Sequence, residues 1–342
     1  MPALIRFFAL LLVTLLSLGA PSSDAQEAPP TGENGQAIRA YVTNFGGDGV
    51  SVIDPLEGRT IGFINTGARP HGVAIAPGGS AVYVSNEGDG TLSIIDPVAS
   101  RVVSTIAVGE RPNQIAVSAD GRHVVVTLNG ADTVAIVDTA ARDVARLVRV
   151  GRGPHIALFS PDGQTAFVTS EGDMKIVALD ARTWDVLYET PIFGWPRVLA
   201  VSPDGANAYL TMRWLNGVLT VDLRQHQVVD RLAFEAPSFA SEGKDAHGLA
   251  LTPDGRQLWL TTQTSHEVSA IRLRDRRRIA RIPVGRNPNW IEFTPDGGTA
   301  VVSNTDSNTV SLIDVARRTV TATLPVGDAP KRLAVGYVVI AR

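Results

Sequence analysis

Three histidines, His71, His155 and His247, stand at equivalent places in the sequence and are the side chains best suited to chemistry. Imidazole nitrogens bind zinc or copper, serve as an axial ligand of haem, or act as a general base in hydrolysis. The three histidines are therefore candidate metal ligands. If the protein is an enzyme, they are also the candidate catalytic residues, together with Glu242.

The histidines belong to a set of seven positions, called anchor residues below, each of which follows a similar short turn. Five of the seven turns read Gly-x-x-Pro, and the spacings between successive anchors are 42, 42, 42, 50, 42 and 42 residues. A near-constant period over most of a chain predicts a repeat architecture. The anchor residues are His71, Asn113, His155, Arg197, His247, Asn289 and Lys331.

Each period contains four short segments rich in Val, Ile and Thr, which is typical of β-strands. In one period the predicted strands are Val73–Ala76, Ala81–Ser85, Thr91–Ile95 and Arg101–Val108. Pro-Asp-Gly or a variant separates the first two, as expected for a tight hairpin. No segment shows helical periodicity, so the pattern predicts an all-β, seven-bladed propeller of four-stranded antiparallel blades.

The two ends of the chain predict that the ring is closed by strand exchange. Residues 38 to 66 supply only three strands, and an unmatched first strand follows the last anchor at Arg332–Val335. That C-terminal strand can complete the N-terminal blade and leave no bare edge. Capped edges and charged loops favour a monomer.

The N-terminal residues resemble a secretory signal rather than part of the fold. Arg6 precedes the apolar run Phe7–Leu18, and Ser23-Asp24-Ala25 is a small-x-small cleavage sequence. We therefore expect a signal peptide at 1–25, a flexible leader at 26–37 and one propeller domain at 38–342. The protein would be periplasmic or secreted, with no membrane span after cleavage.

Composition excludes several functional classes. Among 342 residues, 31 Lys and Arg oppose 34 Asp and Glu, so a nucleic-acid partner has no electrostatic basis. Hydrophobic residues make up 44%, which is sufficient for a core. The absence of cysteine excludes disulfides, iron–sulfur clusters, c-type haem attachment and a thiol nucleophile.

Three of the second strands carry a recurrent motif. Tyr41-Val42-Thr43-Asn44, Tyr83-Val84-Ser85-Asn86 and Val301-Val302-Ser303-Asn304 resemble the motif of YVTN-family β-propellers. In the middle blades Leu128, Ser170, Met212 and Thr262 replace the Asn. The resemblance covers 38 to 336 and implies a secreted or periplasmic repeat protein, in some relatives an accessory of a redox system. It indicates no particular cofactor.

Propeller topology places the anchor residues around one mouth of the central tunnel, next to Arg69, Arg111, Arg152 and Arg286. Acidic residues of the loops between second and third strands would lie farther out, giving a basic centre within an acidic collar that attracts an anion. Ion pairs between ordinary polar turns are the alternative. The predicted collar comprises Asp48, Glu87, Asp89, Asp132, Glu171, Asp173 and Asp306.

The 50-residue spacing inserts eight extra residues before His247, in a loop at 235–246 that would lie on the same face. Trp195, Trp214 and Trp290 fall in neighbouring blades and could complete a pocket for a flat anion, or simply pack between blades. A cluster of arginines between Arg272 and Arg278 is expected in a solvated turn of the opposite face, with docking of an acidic partner as the alternative.

The absence of a nucleophile–base pair or a Gly-x-Ser-x-Gly sequence favours a non-enzymatic binding or scaffold protein. Its expected ligands are a small anion or a protein partner at the tunnel mouth. The alternative is a metal-assisted hydrolase or lyase, because the fold and the blade-entry pattern also resemble those of lactonase propellers.

Overall fold

The computed structural model describes residues 35–234 and 246–341, which contain 28 β-strands in seven four-stranded antiparallel sheets. Two 3-10 turns, Pro77–Gly79 and Thr305–Ser307, are the helical segments of this part of the chain. The strands in order are β1 (Gln36–Asn44), β2 (Gly49–Asp54), β3 (Arg59–Asn65), β4 (Pro70–Ile75), β5 (Val82–Asn86), β6 (Thr91–Asp96), β7 (Arg101–Ala107), β8 (Pro112–Val117), β9 (His123–Leu128), β10 (Thr133–Asp138), β11 (Asp143–Arg149), β12 (Pro154–Phe159), β13 (Thr165–Ser170), β14 (Lys175–Asp180), β15 (Val186–Pro191), β16 (Pro196–Val201), β17 (Asn207–Met212), β18 (Leu215–Asp222), β19 (Gln227–Ala233), β20 (Ala246–Leu251), β21 (Gln257–Thr262), β22 (Glu267–Arg272), β23 (Arg277–Pro283), β24 (Pro288–Phe293), β25 (Thr299–Asn304), β26 (Thr309–Asp314), β27 (Thr319–Pro325) and β28 (Pro330–Val339).

Blades 1 to 6 are the successive groups of four strands from β4 to β27, and blade 7 has the order β28-β1-β2-β3. The predicted seven-bladed propeller and its closure by the C-terminal strand are confirmed. The closing strand is longer than expected, because β28 continues to Val339 and pairs its end with Gln36. Pairing therefore begins two residues before the predicted start of the domain at 38.

First strands also begin earlier than predicted, because a bulge lies at each anchor of blades 1 to 6. In blade 1, Pro70 pairs with Asn86 and Val73 pairs with Val84, so that His71 and Gly72 together oppose Ser85. A bulge of this kind turns a side chain away from the regular alternation of a strand. The anchor side chains are thus directed toward the tunnel mouth.

Hydroxyl groups of the second strands join six of the blades to the next, whereas Thr127 of blade 2 donates to Gln114 of its own blade. Thr43 Oγ1 donates to the carbonyl of His71 at 2.9 Å, and Thr211 Oγ1 donates to that of His247 at 2.8 Å. Ser85 makes the same contact with Asn113. The third residue of the YVTN motif therefore holds the next blade's anchor, while the Asn amide, as in Asn86, donates to Ser93 on the third strand at 2.9 Å.

The hydrophobic core lies between adjacent blades, whose faces are formed by alternating Val, Ile, Leu and Ala. Larger rings fill the wider gaps, as where Trp259 meets Phe293 edge to face at 5.5 Å between centroids. These rings contribute to a rigid frame around the tunnel.

The basic turn of blade 5 is extensively paired. Arg272 forms an ion pair with Asp275 at 2.6 Å, and Arg276 reaches Asp230 of blade 4 at 2.8 Å. The guanidinium of Arg278 lies 4.9 Å from the centre of the Phe234 ring. The turn is exposed from 274 to 277, in keeping with the expected solvated turn, and the contact of Arg276 joins it to blade 4.

Candidate functional site

All seven anchor residues line one cavity of about 370 Å³ at the tunnel mouth. A second group of cavity residues comes from the turns between second and third strands, each 16 positions after an anchor. These residues are Glu87, Asn129, Glu171, Arg213, Gln263 and Thr305, with Phe45 at the corresponding place in blade 7. The cavity is therefore a double ring of side chains, of which the sequence pattern had indicated the inner one.

His71 is paired with a carboxylate. Its Nδ1 lies 2.7 Å from Glu87 Oε2, and the ring packs edge-on against Phe45 at 5.1 Å between centroids. Burial lowers the pKa of His71 to about 3, opposed by the hydrogen bond to Glu87. The imidazole is thus neutral near pH 7, with Nδ1–H directed at the carboxylate and Nε2 left as an acceptor.

His155 and His247 lie close together, with ring centroids 6.0 Å apart. His247 Nδ1 is 2.8 Å from the Asn289 carbonyl, so Nδ1 carries the proton. His155 Nε2 is 3.2 Å from Arg332 Nη2 and accepts a hydrogen bond from that guanidinium. Burial lowers the pKa of both histidines well below the usual value, and the Arg332 and Arg197 charges add to the shift.

Arg332 is a site residue that the sequence analysis did not identify. Arg332 follows the anchor residue Lys331 on β28 and is 1% exposed. Nε and Nη1 have no hydrogen-bond partner, and no carboxylate of the described residues lies within ion-pair distance. Burial lowers its pKa to about 9, and the charge of Arg197 contributes. In sequence, it is the one charged residue in a column otherwise occupied by Gly72, Gln114, Ile156, Val198, Gly248 and Trp290.

Lys331 and Arg197 add two further cations to the same cavity. Lys331 Nζ lies 3.3 Å from the centre of the Phe45 ring, and burial lowers its pKa to about 8. Arg197 Nε is 3.7 Å from Glu171 Oε1, too far for a hydrogen bond, and burial lowers the pKa of Arg197. Positive charge is therefore concentrated beside neutral histidines.

The predicted acidic collar divides into two parts. Glu87 and Glu171 enter the cavity, where Glu171 also pairs with Arg213 at 2.5 Å. Asp173 stays outside and pairs with Arg152 at 2.7 Å. The neighbouring arginines divide in the same way: those two positions before an anchor, Arg69 and Arg111, line the cavity, whereas Arg152 and Arg286, three before, do not.

The three predicted site tryptophans do not line the mouth cavity. Trp290 is 4% exposed and packs beneath Arg332, with the guanidinium carbon 4.2 Å from the ring centre. Trp195 and Trp214 line a neighbouring pocket that shares Arg213 with the mouth cavity. The aromatic residues thus stand in two different environments.

The metal prediction gains no support from the described geometry. Within residues 35–234 and 246–341, no group of three or more His, Cys, Asp or Glu is arranged to hold an ion. Both nitrogens of His155 are already engaged, with the Arg197 carbonyl and with Arg332. Glu242, proposed with the histidines as catalytic, lies outside the described residues, as do the predicted signal peptide and most of the inserted loop.

The fold and the double ring define a seven-bladed propeller with a polar tunnel mouth, and sequence comparison places it in a family. The model of the YNCE-like beta-propeller family matches residues 5–120 and 105–239. The chain therefore belongs to the YNCE-like beta-propellers. No curated protein matches it significantly.

Solved structures share the fold at low sequence identity. The periplasmic gluconolactonase of Pseudomonas aeruginosa is 22% identical, with a TM-score of 0.72 over 87% of this chain and 98% of its own. Hydrazine synthase of Kuenenia stuttgartiensis is 20% identical, with a TM-score of 0.70 over 78% and 89%. A functionally unknown protein of Desulfotomaculum acetoxidans is 11% identical, with a TM-score of 0.75 over 87% and 98%.

None of the helical turns in the described part of the chain has the length and apolar character needed to cross a membrane.

Proposed function

We propose that this chain is an exported, non-enzymatic binding protein that holds a small anion at the tunnel mouth. The observation that carries the proposal is the guanidinium of Arg332, which is buried, charged and without a carboxylate partner among the described residues. A buried charge is costly unless it is paired and hydrogen-bonded. An anion bound to its free N–H groups would provide that pairing.

The surrounding side chains strengthen this reasoning. Arg197 and Lys331 lie around the same cavity, and the pKa of each is lowered by burial, so their charges are also incompletely neutralised. The nearby His155 is neutral, so it contributes no positive charge to the cavity. The side chains of Asn113 and Asn289 line the same cavity, and their amide N–H groups are further donors for an anion.

The donor geometry favours an oxyanion. A guanidinium presents a planar fork that matches two oxygens of a carboxylate, phosphate or sulfate. A cavity of about 370 Å³ accommodates a small molecule and not a folded segment.

Calorimetry with inorganic phosphate, sulfate and acetate at constant ionic strength tests the proposal. At one hundred times Kd, a bound anion should stabilise the fold by about 2.7 kcal/mol. Arg332→Met should abolish binding and, since it removes an unpaired buried charge, should not lower stability without ligand. Arg317→Met, at a largely exposed arginine paired with Asp314, is the control. No binding of any of the three anions would refute the proposal.

A second function, hydrolysis of a lactone, is favoured by one specific contact. Glu87 orients His71 through Nδ1 and leaves Nε2 free, which is the arrangement of a histidine–carboxylate general base. A pH-stat assay with gluconolactone would detect turnover. Loss of that turnover in His71→Asn and its retention in His226→Asn would support the enzyme, and turnover unaffected by His71→Asn would exclude this dyad.

A further inference from the structure

A second cavity of about 390 Å³ lies next to the tunnel mouth in blade 4. Phe193, Trp195, Met212 and Trp214 line it, together with the aliphatic side chains of Leu215, Leu219 and Val228. Arg213 lines both this cavity and the mouth cavity, and its backbone N–H donates to the Trp195 carbonyl at 3.1 Å. An apolar pocket therefore adjoins the cationic one.

The aromatic side chains of this pocket are unusually exposed for their size. Phe193 is 92% exposed, Trp214 50% and Trp195 41%. Single exposed apolar residues are common on protein surfaces, but three large rings on one blade form a patch of the kind that marks a binding site. The rings that pack between blades, such as Trp259, are by contrast wholly buried.

Trp214 lies in a turn that is shorter than its counterparts in the other blades. The turn between β17 and β18 has two residues, Arg213 and Trp214, where the other blades have four, as in 87–90. Trp214 adopts φ 66°, the left-handed region that favours glycine. In five other blades the last residue of this turn also has positive φ, namely Gly90, Asp132, Met174, His266 and Asn308. Blade 4 thus has a large aromatic ring at the left-handed position of a shortened turn.

Gly194 lies between Phe193 and Trp195 at the start of blade 4. Its φ is 149°, and a Cβ there would lie 3.0 Å from Met212 Cε. The glycine thus lets the chain turn tightly over Met212 with Phe193 on one side and Trp195 on the other. The sulfur-containing side chain forms the adaptable floor of the pocket.

We infer that the ligand is an arylcarboxylate, whose carboxylate is bound by Arg332 and Lys331 and whose flat ring lies on Trp195 and Trp214. This inference rests on the proposed anion site, because the mouth cavity supplies the charge that selects the ligand. Arg213 stands between the two cavities with its guanidinium fixed by Glu171, so it can contact both parts of one molecule.

Calorimetry with three probes separates the two parts of the site. Acetate carries only the charged group, 2-naphthoate carries the charge and the ring, and 2-naphthamide carries the ring without the charge. We expect 2-naphthoate to bind at least tenfold more tightly than acetate, and 2-naphthamide to bind weakly or not at all. Equal affinities of acetate and 2-naphthoate would overturn the inference while leaving the anion site intact, whereas no binding of acetate, phosphate or sulfate would remove the anion site itself.

Trp214→Gly gives a test in which affinity and stability move in opposite directions. Removing the ring should lower 2-naphthoate affinity about fivefold to tenfold, the usual contribution of one aromatic contact, and leave sulfate affinity unchanged. Relief of the left-handed backbone should at the same time raise the melting temperature. Phe63→Ala, at an exposed ring of β3, is the control for loss of surface aromatic area. Unchanged 2-naphthoate affinity in Trp214→Gly would overturn the inference.

Discussion

The guanidinium of Arg332 lies 4.2 Å above the Trp290 ring, whose indole N–H in turn donates to Glu292 at 3.2 Å. The three residues come from two neighbouring first strands, β28 and β24. Stacking on the indole restricts the planar guanidinium to one orientation, with Nη2 toward His155. Trp290 is therefore a positioning residue for the cation that defines the candidate anion site.

Trp290 and Trp195 should respond differently to the same substitution. Trp290→Leu is expected to weaken sulfate binding about threefold to tenfold, through the lost stack, and to lower the free energy of unfolding by about 2 kcal/mol, through the lost burial. Trp195→Leu should change the free energy of unfolding by less than about 1 kcal/mol, because its ring is half-exposed. Urea unfolding and calorimetry measure both quantities. Sulfate affinity unchanged in Trp290→Leu would contradict the positioning role.

The spacing of the repeats was sufficient to predict the seven blades, the closure of the ring by the C-terminal strand and the ring of anchor residues. It succeeded because each blade buries the same faces, so the period of 42 residues carries the architecture directly. The bulge that directs His71 into the mouth was not predictable from alternation alone, since it depends on Pro70 and Val73 pairing with residues two apart on β5. This is why the predicted strand started three residues late.

The interior of the site was predicted less completely than its rim. Arg332 was predicted only as part of the closing strand and not as a site residue. It is nevertheless the charged residue at a repeat position that is uncharged in the other six blades. Glu87 and Glu171 were placed in an outer collar, yet pairing with His71 and Arg197 brings them inward. Whether a residue of the inner ring of the cavity pairs with one of the outer ring depends on side-chain lengths and directions. The spacing of residues along the sequence does not specify these.

Acidification should destabilise the fold through the buried histidines. The pKa of His247 is far below 6.5 in the folded state, so between pH 6.5 and that lower value only the unfolded chain takes up the proton. Stability is therefore full above pH 6.5 and falls as the pH decreases. His247→Asn should reduce the slope of unfolding free energy against pH, between 4.5 and 6.5, by up to about 1.4 kcal/mol per unit.

Urea unfolding at a series of pH values measures that slope, and His226→Asn, at an exposed histidine, is the control. The carbonyl of Asn289 can accept from the introduced amide, which preserves the contact. An unchanged slope in His247→Asn would show that this histidine is not held neutral.

Anion affinity should decrease in alkaline solution as Lys331 loses its proton. Its pKa is lowered to about 8 by burial and by the adjacent Arg332, while Glu87 opposes the shift and Arg69 and Arg197 support it. Sulfate, which does not titrate in this range, should bind fivefold to tenfold more weakly at pH 9 than at pH 7, about the contribution of one charge-assisted contact. Lys331→Arg should move the midpoint of the decrease from about pH 8 to about pH 9, where Arg332 itself loses its proton. Calorimetry at constant ionic strength measures sulfate affinity against pH in both proteins. The same pH profile in the parent protein and in Lys331→Arg would refute the assignment of this titration to Lys331.

The half-buried carboxyl of Glu292 should produce the opposite pH dependence from the histidines. The corresponding position is Ala74, Ala116, Leu158, Ala200, Ala250 or Ala334 in the other blades. Burial raises the pKa of Glu292 to about 7, against the hydrogen bonds donated by Val335 N at 2.9 Å and by Trp290. Between pH 4.5 and 7 the unfolded chain releases a proton that the folded chain retains, so this group lowers stability as the pH rises through that window.

Glu292→Gln removes the titration and makes the prediction measurable. Relative to the parent protein, the variant should gain roughly 3 kcal/mol of unfolding free energy between pH 4.5 and 7, the equivalent of the shift in pKa. At pH 4.5 it should be no more stable than the parent, since the amide N–H₂ must face one of the two N–H donors that now meet carboxyl oxygens. Urea unfolding at both pH values separates the two effects. A constant difference between variant and parent across the window would show that Glu292 is ionised in the folded protein throughout, and that the two hydrogen bonds outweigh its burial.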